Sequence, residues 1–390
     1  MSLQRAAARL ENIDALRGLA LLGILQVNVQ SFAWGAGDPL GYLSPAPGTL
    51  ERTLYFLQAA FFEGKAYPIF AFLFGTSLAL QMRKLRDAGH QGALRAQRRR
   101  LLVLLALGVV HGLVLYCGDV LFAYALCGLL MITCVPARAR ELLRLVRWTW
   151  LAAGASLFVP AILVAALGWN AAPEQIPVWA RQAHEVYCRG GFFAQMAQRA
   201  SDELWQQLGS IPTFWPQLFA LFSLGILAGR LGLLQHPQRH ARAWRWAAAV
   251  GLLLGLPLSL AGAQLTLARA SQLPGAQGGW DEIVLGAGSL LSLAYVAAAI
   301  WVFQQRWSEP VQSWLASAGR MSLSNYVAQS LAMGLLLSGW GLGLGQSAGR
   351  AQLALLALLI FVGQVLASRW VLRLFSQGPL EALWRRWSYG

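Results

Sequence analysis

His111 lies inside the apolar run LLVLLALGVVHGLVLYC, seven residues before the Gly118-Asp119 pair. Imidazole takes up and returns a proton near neutral pH, and a nearby carboxylate orients it. A histidine roughly 10 Å below the end of its helix, followed by an aspartate on a tight connection, therefore reads as a general base with its partner. A quieter reading stands beside this one. Both ring nitrogens of His111 find packing partners, and Asp119 caps the next helix. A second group is Glu63, Lys65 and Tyr67. From Lys65 to Arg83 is 18 residues, about 27 Å of helix, which puts Lys65 near the outer boundary of the membrane. There it either stabilises a developing oxyanion or snorkels outward, neutralised by Glu63.

Two further groups are polar but less pointed. Gln26, Asn28 and Gln30 interrupt the first apolar run; Gln26 and Gln30 share a helical face and Asn28 does not. Side chains of this kind bridge helices or line a wet cavity, and Asn28 is a second candidate for an oxyanion. Asp14 and Arg17, three apart, form a cytoplasmic salt bridge on the same helix. In GRMSLSNYVAQS, residues 319 to 330, Arg320 stands at a helix start, with Ser322, Asn325 and Gln329 along one face. Unpaired amides, the positive end of the dipole and Arg320 together suit an anionic group; an N-cap with a small-residue packing interface is the alternative. His236 and His240 have the spacing of two metal ligands, but Pro237 and the basic residues around them argue against a metal. Cys117, Cys127, Cys134 and Cys188 form no CxxC pair, and no zinc site or disulfide scaffold is expected.

The elements that position these groups follow from composition. Of 390 residues 57% are hydrophobic and only 12% charged, with mean hydropathy +0.50, which excludes an ordinary soluble enzyme. A net charge of +15 would suggest nucleic acid in a soluble chain, but the bilayer accounts for it better. Seventeen Trp and nine Tyr fit interfacial aromatic belts, and there is no nucleic-acid motif. The expected fold is an all-α polytopic membrane protein of about ten transmembrane helices, at 14-34, 55-82, 101-117, 120-135, 148-168, 213-229, 246-265, 283-303, 322-340 and 352-372. The first is a retained helix and not a signal peptide, because polar residues interrupt it and no small-residue cleavage site follows.

If the N-terminus is cytoplasmic, 24 of the 31 Lys and Arg fall on the cytoplasmic side. The positive-inside rule then places both termini in the cytoplasm. Three regions are expected: an N-terminal five-helix half over 1-168 carrying the candidate site, an external amphipathic segment over 169-212, and a C-terminal five-helix half over 213-390. Prolines 39, 45 and 47 exclude a long helix in the external loop 35-54. The segment 169-212 lies on the membrane surface or caps a cavity.

The stretches ENIDALRGLALLGILQVNV, EGKAYPIFAFLFGTSLALQ, RRRLLVLLALGVVHGLVLYCGDVLFAYALCGLL, GRMSLSNYVAQS and FSQGPLEALWRRWSY resemble the YeiB family of bacterial inner-membrane proteins, whose C-terminal half is a domain of unknown function. The resemblance runs from residue 11 to residue 389. More distantly, the opening is similar to transmembrane acyltransferases such as heparan-α-glucosaminide N-acetyltransferase, which implies transfer of an acyl group from cytoplasmic acyl-CoA to an acceptor on the far side. In the heparan enzyme the histidine credited with catalysis lies after the first helix, whereas this sequence has none between residues 28 and 89. The base is then His111, the histidine available within a membrane span.

These readings converge on an integral-membrane acyltransferase of the bacterial inner membrane. Its donor is acyl-CoA, and its acceptor is an envelope glycan, a lipid or a small metabolite. His111, Asp119, Lys65 and Glu63 are the expected catalytic residues, Asn28, Gln26, Gln30 and Tyr67 line the acceptor site, and Arg320, Ser322, Asn325 and Gln329 hold the donor. The first four spans and the ninth should enclose one central polar cavity. A transporter or exporter of a small metabolite is the alternative, using the same buried groups as substrate and proton sites; a non-catalytic scaffold or sensor is a third.

Overall fold

The computed structural model describes residues 2–35, 48–87, 92–135, 138–166, 178–209, 211, 213–272, 284 and 286–389. All regular elements among them are helical, so the chain is all-α. In order they are α1 (Ser2–Trp34), α2 (Thr49–Phe61), α3 (Ala66–Asp87), α4 (Ala93–Val114), α5 (Leu121–Met131), α6 (Ala139–Ala166), α7 (Val178–Arg189), α8 (Phe192–Gly209) and α9 (Phe214–Leu231). There follow α10 (Ala241–Val250), α11 (Leu256–Gln272), α12 (Leu291–Val302), α13 (Glu309–Arg320), α14 (Ser322–Leu337), α15 (Arg350–Leu374) and α16 (Pro379–Tyr389).

The long helices carry apolar residues on their outer faces as well as their inner ones. On α4, Leu101, Leu104, Gly108 and His111 are buried, while Leu102, Val109 and Val110 are exposed. On α15, Leu355, Leu358, Leu359, Val362 and Leu366 face outward. An apolar girdle of this extent is unfavourable in water and marks the lipid-facing surface of a membrane protein. Among the described residues, five stretches are long and apolar enough to cross a bilayer: Glu11–Trp34, Arg140–Val159, Phe214–Leu231, Pro237–Ala268 and Arg350–Leu374. A sixth results if Gly288–Val302 and Arg306–Arg320, bent by 100°, are counted together.

The expected span 55-82 is two helices. Gly64 adopts φ +72°, a left-handed conformation that suits glycine, and it ends the run between α2 and α3. Lys65 Nζ turns back to donate to the Ala59 carbonyl at 2.9 Å, satisfying the end of α2. The expected span 120-135 is the short α5 finished by a 3-10 turn at Ile132–Cys134.

Close backbone contacts hold the bundle together. α3 crosses α9 where Gly75 and Gly225 leave no room for side chains; a Cβ on Gly225 would stand 2.2 Å from the Phe72 carbonyl oxygen. Without water to drive association, packing of this kind and hydrogen bonds such as Thr76 Oγ1 to the Gly225 carbonyl (3.1 Å) hold membrane helices together. α1 packs against α13, α14 and α15, so the first helix is embedded among the last ones.

The amphipathic segment forms α7 and α8, which close one end of the bundle. Arg199, 2% exposed, donates to the Val114 carbonyl at the end of α4 at 2.6 Å. His184 Nδ1 reaches the Trp34 carbonyl at the end of α1 at 2.6 Å. Burial pushes the Tyr187 hydroxyl up, and it stays protonated to donate to Asp202 at 2.6 Å. We call this the capped end, and the opposite one, where Arg98, Arg99, Arg100 and Arg320 lie, the basic end. Pro39, Pro45 and Pro47 lie outside the described residues.

Candidate functional site

The tight connection between α4 and α5 brings Asp119 back over the last turns of α4. Gly108 makes the approach possible: a Cβ there would stand 2.4 Å from the Phe122 nitrogen and 3.0 Å from Asp119 Oδ2. Asp119 uses both carboxylate oxygens. Oδ2 accepts from the Phe122 N–H at 2.7 Å, capping α5, and Oδ1 lies 2.8 Å from His111 Nδ1. The cap and the imidazole partner are thus one residue. On the other side of the ring, His111 Nε2 lies 2.9 Å from Ser330 Oγ on α14. The three residues are 4%, 3% and 1% exposed. With Nδ1–H donating to the Asp119 carboxylate, Nε2 is the acceptor for the serine hydroxyl. The order is hydroxyl, base, orienting carboxylate, with each link inside hydrogen-bond reach.

Ser330 was not among the expected site residues. It follows Gln329 in the motif read for anion binding, and its partner lies 219 residues away in the chain, so spacing gives no sign of the contact. Tyr326, one helical turn before Ser330, packs against His111 with ring centroids 4.8 Å apart and the planes tilted by 38°.

Two cavities meet at Tyr326, and of the three linked residues Asp119 is the one in their linings. One, of about 330 Å³, opens toward the capped end and is lined by Asn28, Tyr67, Gly118, Asp119 and Phe214 among others. The second, of about 200 Å³, lies toward the basic end and is lined by Arg17, Ser77, Gln81, Gln97, Arg100, Arg320, Ser322 and Glu381 together with apolar residues. Ile24, Val120 and Tyr326 belong to both linings and form the partition between them. The single central cavity expected is therefore divided in two, and α9 contributes to the capped-end part through Phe214. The division arises because bulky Ile24 of α1, Val120 of the α4–α5 connection and Tyr326 of α14 converge between the two volumes.

The remaining candidates separate by location. Asn28 accepts from the Tyr116 hydroxyl at 3.2 Å, and Tyr67 donates to Gln217 Oε1 at 2.9 Å; both line the capped-end cavity. Gln26 and Gln30 do not. Gln26 donates to the Ala354 carbonyl at 3.2 Å, while Gln30 bonds Gln58 and accepts from Arg350 at 2.6 Å. Nor do Lys65 and Glu63 line that cavity. Gly64 and Ala66 line the capped-end cavity but Lys65, whose Nζ is held by the Ala59 carbonyl, does not. It lines a separate, mainly apolar cavity of about 460 Å³ with Leu19, Ile69, Tyr295 and Leu315.

At the basic end, Arg320 and Ser322 line the cavity as the donor reading requires. Asn325 and Gln329 instead tie helices together, Asn325 through the Ala318 carbonyl and Ser368 at 2.9 Å each, and Gln329 through Gln364 at 2.9 Å. Asp14 and Arg17 form the expected bridge at 2.9 Å, and Arg17 also lines the cavity.

The fold and the divided site define a polytopic helical membrane protein with a buried Asp119–His111–Ser330 hydrogen-bonded chain. Residues 228–390, which include Tyr326, Ser330 and Glu381, match the family described as "Protein of unknown function (DUF418)". The chain is 27% identical over 407 residues to "Uncharacterized protein YxaH" of Bacillus subtilis (strain 168), covering 98% of this chain and 94% of the relative. It is 28% identical over 398 residues to "Uncharacterized protein YeiB" of Escherichia coli (strain K12), covering 96% and 94% respectively. The resemblance carried by the polar landmarks is thereby borne out. No solved structure matches the chain. The matched names specify no activity, so a functional reading rests on the site alone.

Proposed function

We propose that this chain is an acyltransferase of the bacterial inner membrane, crossing it about ten times with both termini in the cytoplasm. It moves an acyl group from acyl-CoA at the basic end to a hydroxyl or amine acceptor at the capped end. The orientation is supported by the basic residues and by Trp148, Trp246, Trp301, Trp307 and Trp370, exposed side chains beside or near arginines, as at a membrane interface. The observation that carries the reaction is the Asp119–His111–Ser330 chain beside the partition between two cavities.

Ser330 Oγ attacks the thioester carbonyl while His111 Nε2 takes the hydroxyl proton. The C–S bond then breaks, and the thiolate leaves with that proton. In the second half, an acceptor in the capped-end cavity attacks the Ser330 ester and gives its proton to His111. The C–O bond breaks, and the serine oxygen is reprotonated. Asp119 holds the ring in the required tautomer throughout. Asn28, whose Oδ1 is occupied by Tyr116, offers its amide N–H to the oxyanion of the second half. Covalent carriage on Ser330 moves only the acyl group past the partition, with Tyr326 swinging aside on either side in turn. Lys65, whose Nζ is held by the Ala59 carbonyl, has no part in this scheme.

The test is an acid-quenched reaction of the purified protein in lipid nanodiscs with radiolabelled acyl-CoAs of short and long chain. A label on the peptide containing Ser330, lost in Ser330→Ala and His111→Ala, supports the reading. No labelled protein and no labelled glycan, lipid or metabolite with any donor defeats it. A second reading, a small-metabolite transporter, is favoured by the two cavities facing opposite ends. Under that reading, proteoliposomes would show counterflow of a solute in the absence of any acyl donor.

A further inference from the structure

The start of α14 already holds an anion. Glu381, on α16, accepts from the Leu323 and Ser324 amides through Oε1 at 2.8 and 3.1 Å, and from the Ser324 hydroxyl through Oε2 at 2.5 Å. A carboxylate at a helix N-terminus takes the place that a phosphate occupies in many binding proteins. The cavity it faces carries the guanidinium groups of Arg17, Arg100 and Arg320 against two acids, Glu381 in the lining and Asp14 paired with Arg17. Positive charge is in excess there.

Gln97 is an independent sign of a ligand. It lines the same cavity, is 2% exposed, and donates Nε2 to Gln81 at 2.9 Å; its own buried Oε1 has no hydrogen-bond partner. An acceptor left in that state costs free energy until an N–H or O–H group reaches it. α16 packs over the cavity against α4 and α14. Trp384 Nε1 donates to the Arg100 carbonyl at 2.8 Å and the Arg100 guanidinium stacks on the Trp384 ring at 3.9 Å, while Arg320 donates to the carbonyl of Ser376, just before the helix, at 3.2 Å.

We propose that Glu381 stands in for the phosphate of a ligand, and that the basic-end cavity binds a phosphate ester or diphosphate joined to a chain bearing N–H or O–H donors, α16 moving aside to admit it. Phosphate replaces the carboxylate at the α14 amides and the arginines, and the chain donates to Gln97 Oε1. This rests on the acyltransferase reading only for the source of the ligand: there it is the phosphate-and-amide arm of the acyl donor. A free phosphate ester has the same chemistry.

The experiment measures equilibrium binding of three probes to the full chain in nanodiscs, inorganic pyrophosphate, phosphopantetheine and adenosine 3′,5′-diphosphate, with hydrogen exchange followed over residues 379–389. Phosphopantetheine should bind and speed exchange in α16. Glu381→Gln, whose side-chain oxygen still accepts from the two amides and preserves the cap, should tighten binding about tenfold. Arg320→Ala should weaken all three probes about tenfold, and Gln97→Leu should weaken phosphopantetheine but not pyrophosphate. A preference for phosphopantetheine over pyrophosphate identifies a carrier arm; equal binding identifies a phosphate site without one, which overturns the role of Gln97. Binding unaffected by Glu381→Gln and Arg320→Ala, or unaccompanied by faster exchange in α16, overturns the proposal. Binding with this pattern in a protein that transfers no acyl group would sink the acyltransferase reading alone.

Discussion

Two buried polar networks tie distant helices of this protein together, and they differ in what they border. One is Asp119–His111–Ser330. The other joins Gln30, Gln58, Glu51 and Arg350: the Arg350 guanidinium donates to Gln30 at 2.6 Å, stands 4.7 Å from the Trp34 ring, and has its backbone N–H held by Glu51 at 3.1 Å. Both lie deep, with Arg350 5% exposed and His111 3%. Members of the second network line neither of the two cavities that meet at Tyr326. A guanidinium, moreover, does not give up its proton under ordinary conditions, whereas imidazole exchanges one readily. Burial of polar groups is therefore not enough to mark a site; the contact of one member, Asp119, with an open volume and the capacity to pass a proton separate the two.

The sharpest way to break the comparison is Asp119→Asn. The Phe122 N–H needs an acceptor, so the amide oxygen must take the place of Oδ2, and the amide N–H2 must then face His111 Nδ1. Nδ1 becomes the acceptor, Nε2 carries the proton, and the ring has no lone pair left for the Ser330 hydroxyl. The variant should fold normally and lose activity by roughly 10³-fold or more, as much as His111→Ala. Wild-type acyl transfer by Asp119→Asn, measured beside an unchanged unfolding midpoint, removes the histidine from the mechanism.

Arg350→Met acts in the opposite sense. It deletes a charged hydrogen bond and leaves Gln30 short of a donor, which should cost about 1.5–3 kcal/mol of stability in detergent or lipid. Activity per folded molecule should stay the same. A large specific loss of activity at wild-type stability would place the second network in the site as well.

Some of this was legible from residue types and some was not. His111 and Asp119 lie eight residues apart, and a tight Gly-Asp connection signals that the second returns toward the first. Arg320 and Ser322 were readable because a helix start carries its own signal. Ser330 and Glu381 were not, since each meets its partner across a long stretch of chain and neither type is unusual at its position. Lys65 misled for a local reason: its Nζ turns back to the Ala59 carbonyl, and the positive φ of Gly64 that ends the run there is invisible in the apolar pattern of 55-82. The Asn325 and Gln329 positions share a face with Ser322 in a regular helix, but packing against α15 claims the later turns.

Gly108→Ala tests the first network through packing alone. The added methyl meets the Phe122 nitrogen, and the start of α5 must retreat. A strain of about 1–3 kcal/mol is expected, with activity falling further than stability because Asp119 moves with the backbone. An alanine variant with full activity and full stability would show that the α4–α5 approach does not set the aspartate.

The smallest effect, and the most selective, is expected of Tyr116→Phe. The ring is retained, so its stacking on Phe32 at 5.0 Å survives. Only the hydroxyl that donates to Asn28 Oδ1 at 3.2 Å is lost, worth about 0.5–1.5 kcal/mol in a typical hydrogen bond. Asn28 borders the capped-end cavity but not the basic-end one, so its loosening should touch one half-reaction. Acylation of Ser330 by acyl-CoA should proceed at the wild-type rate, and transfer to the acceptor should slow by a few-fold. Rapid-quench measurement of the two steps separates them. An equal fall in both would mean that the cavities act as one volume despite the partition at Tyr326. A fall in acylation alone would reverse the assignment of donor and acceptor ends.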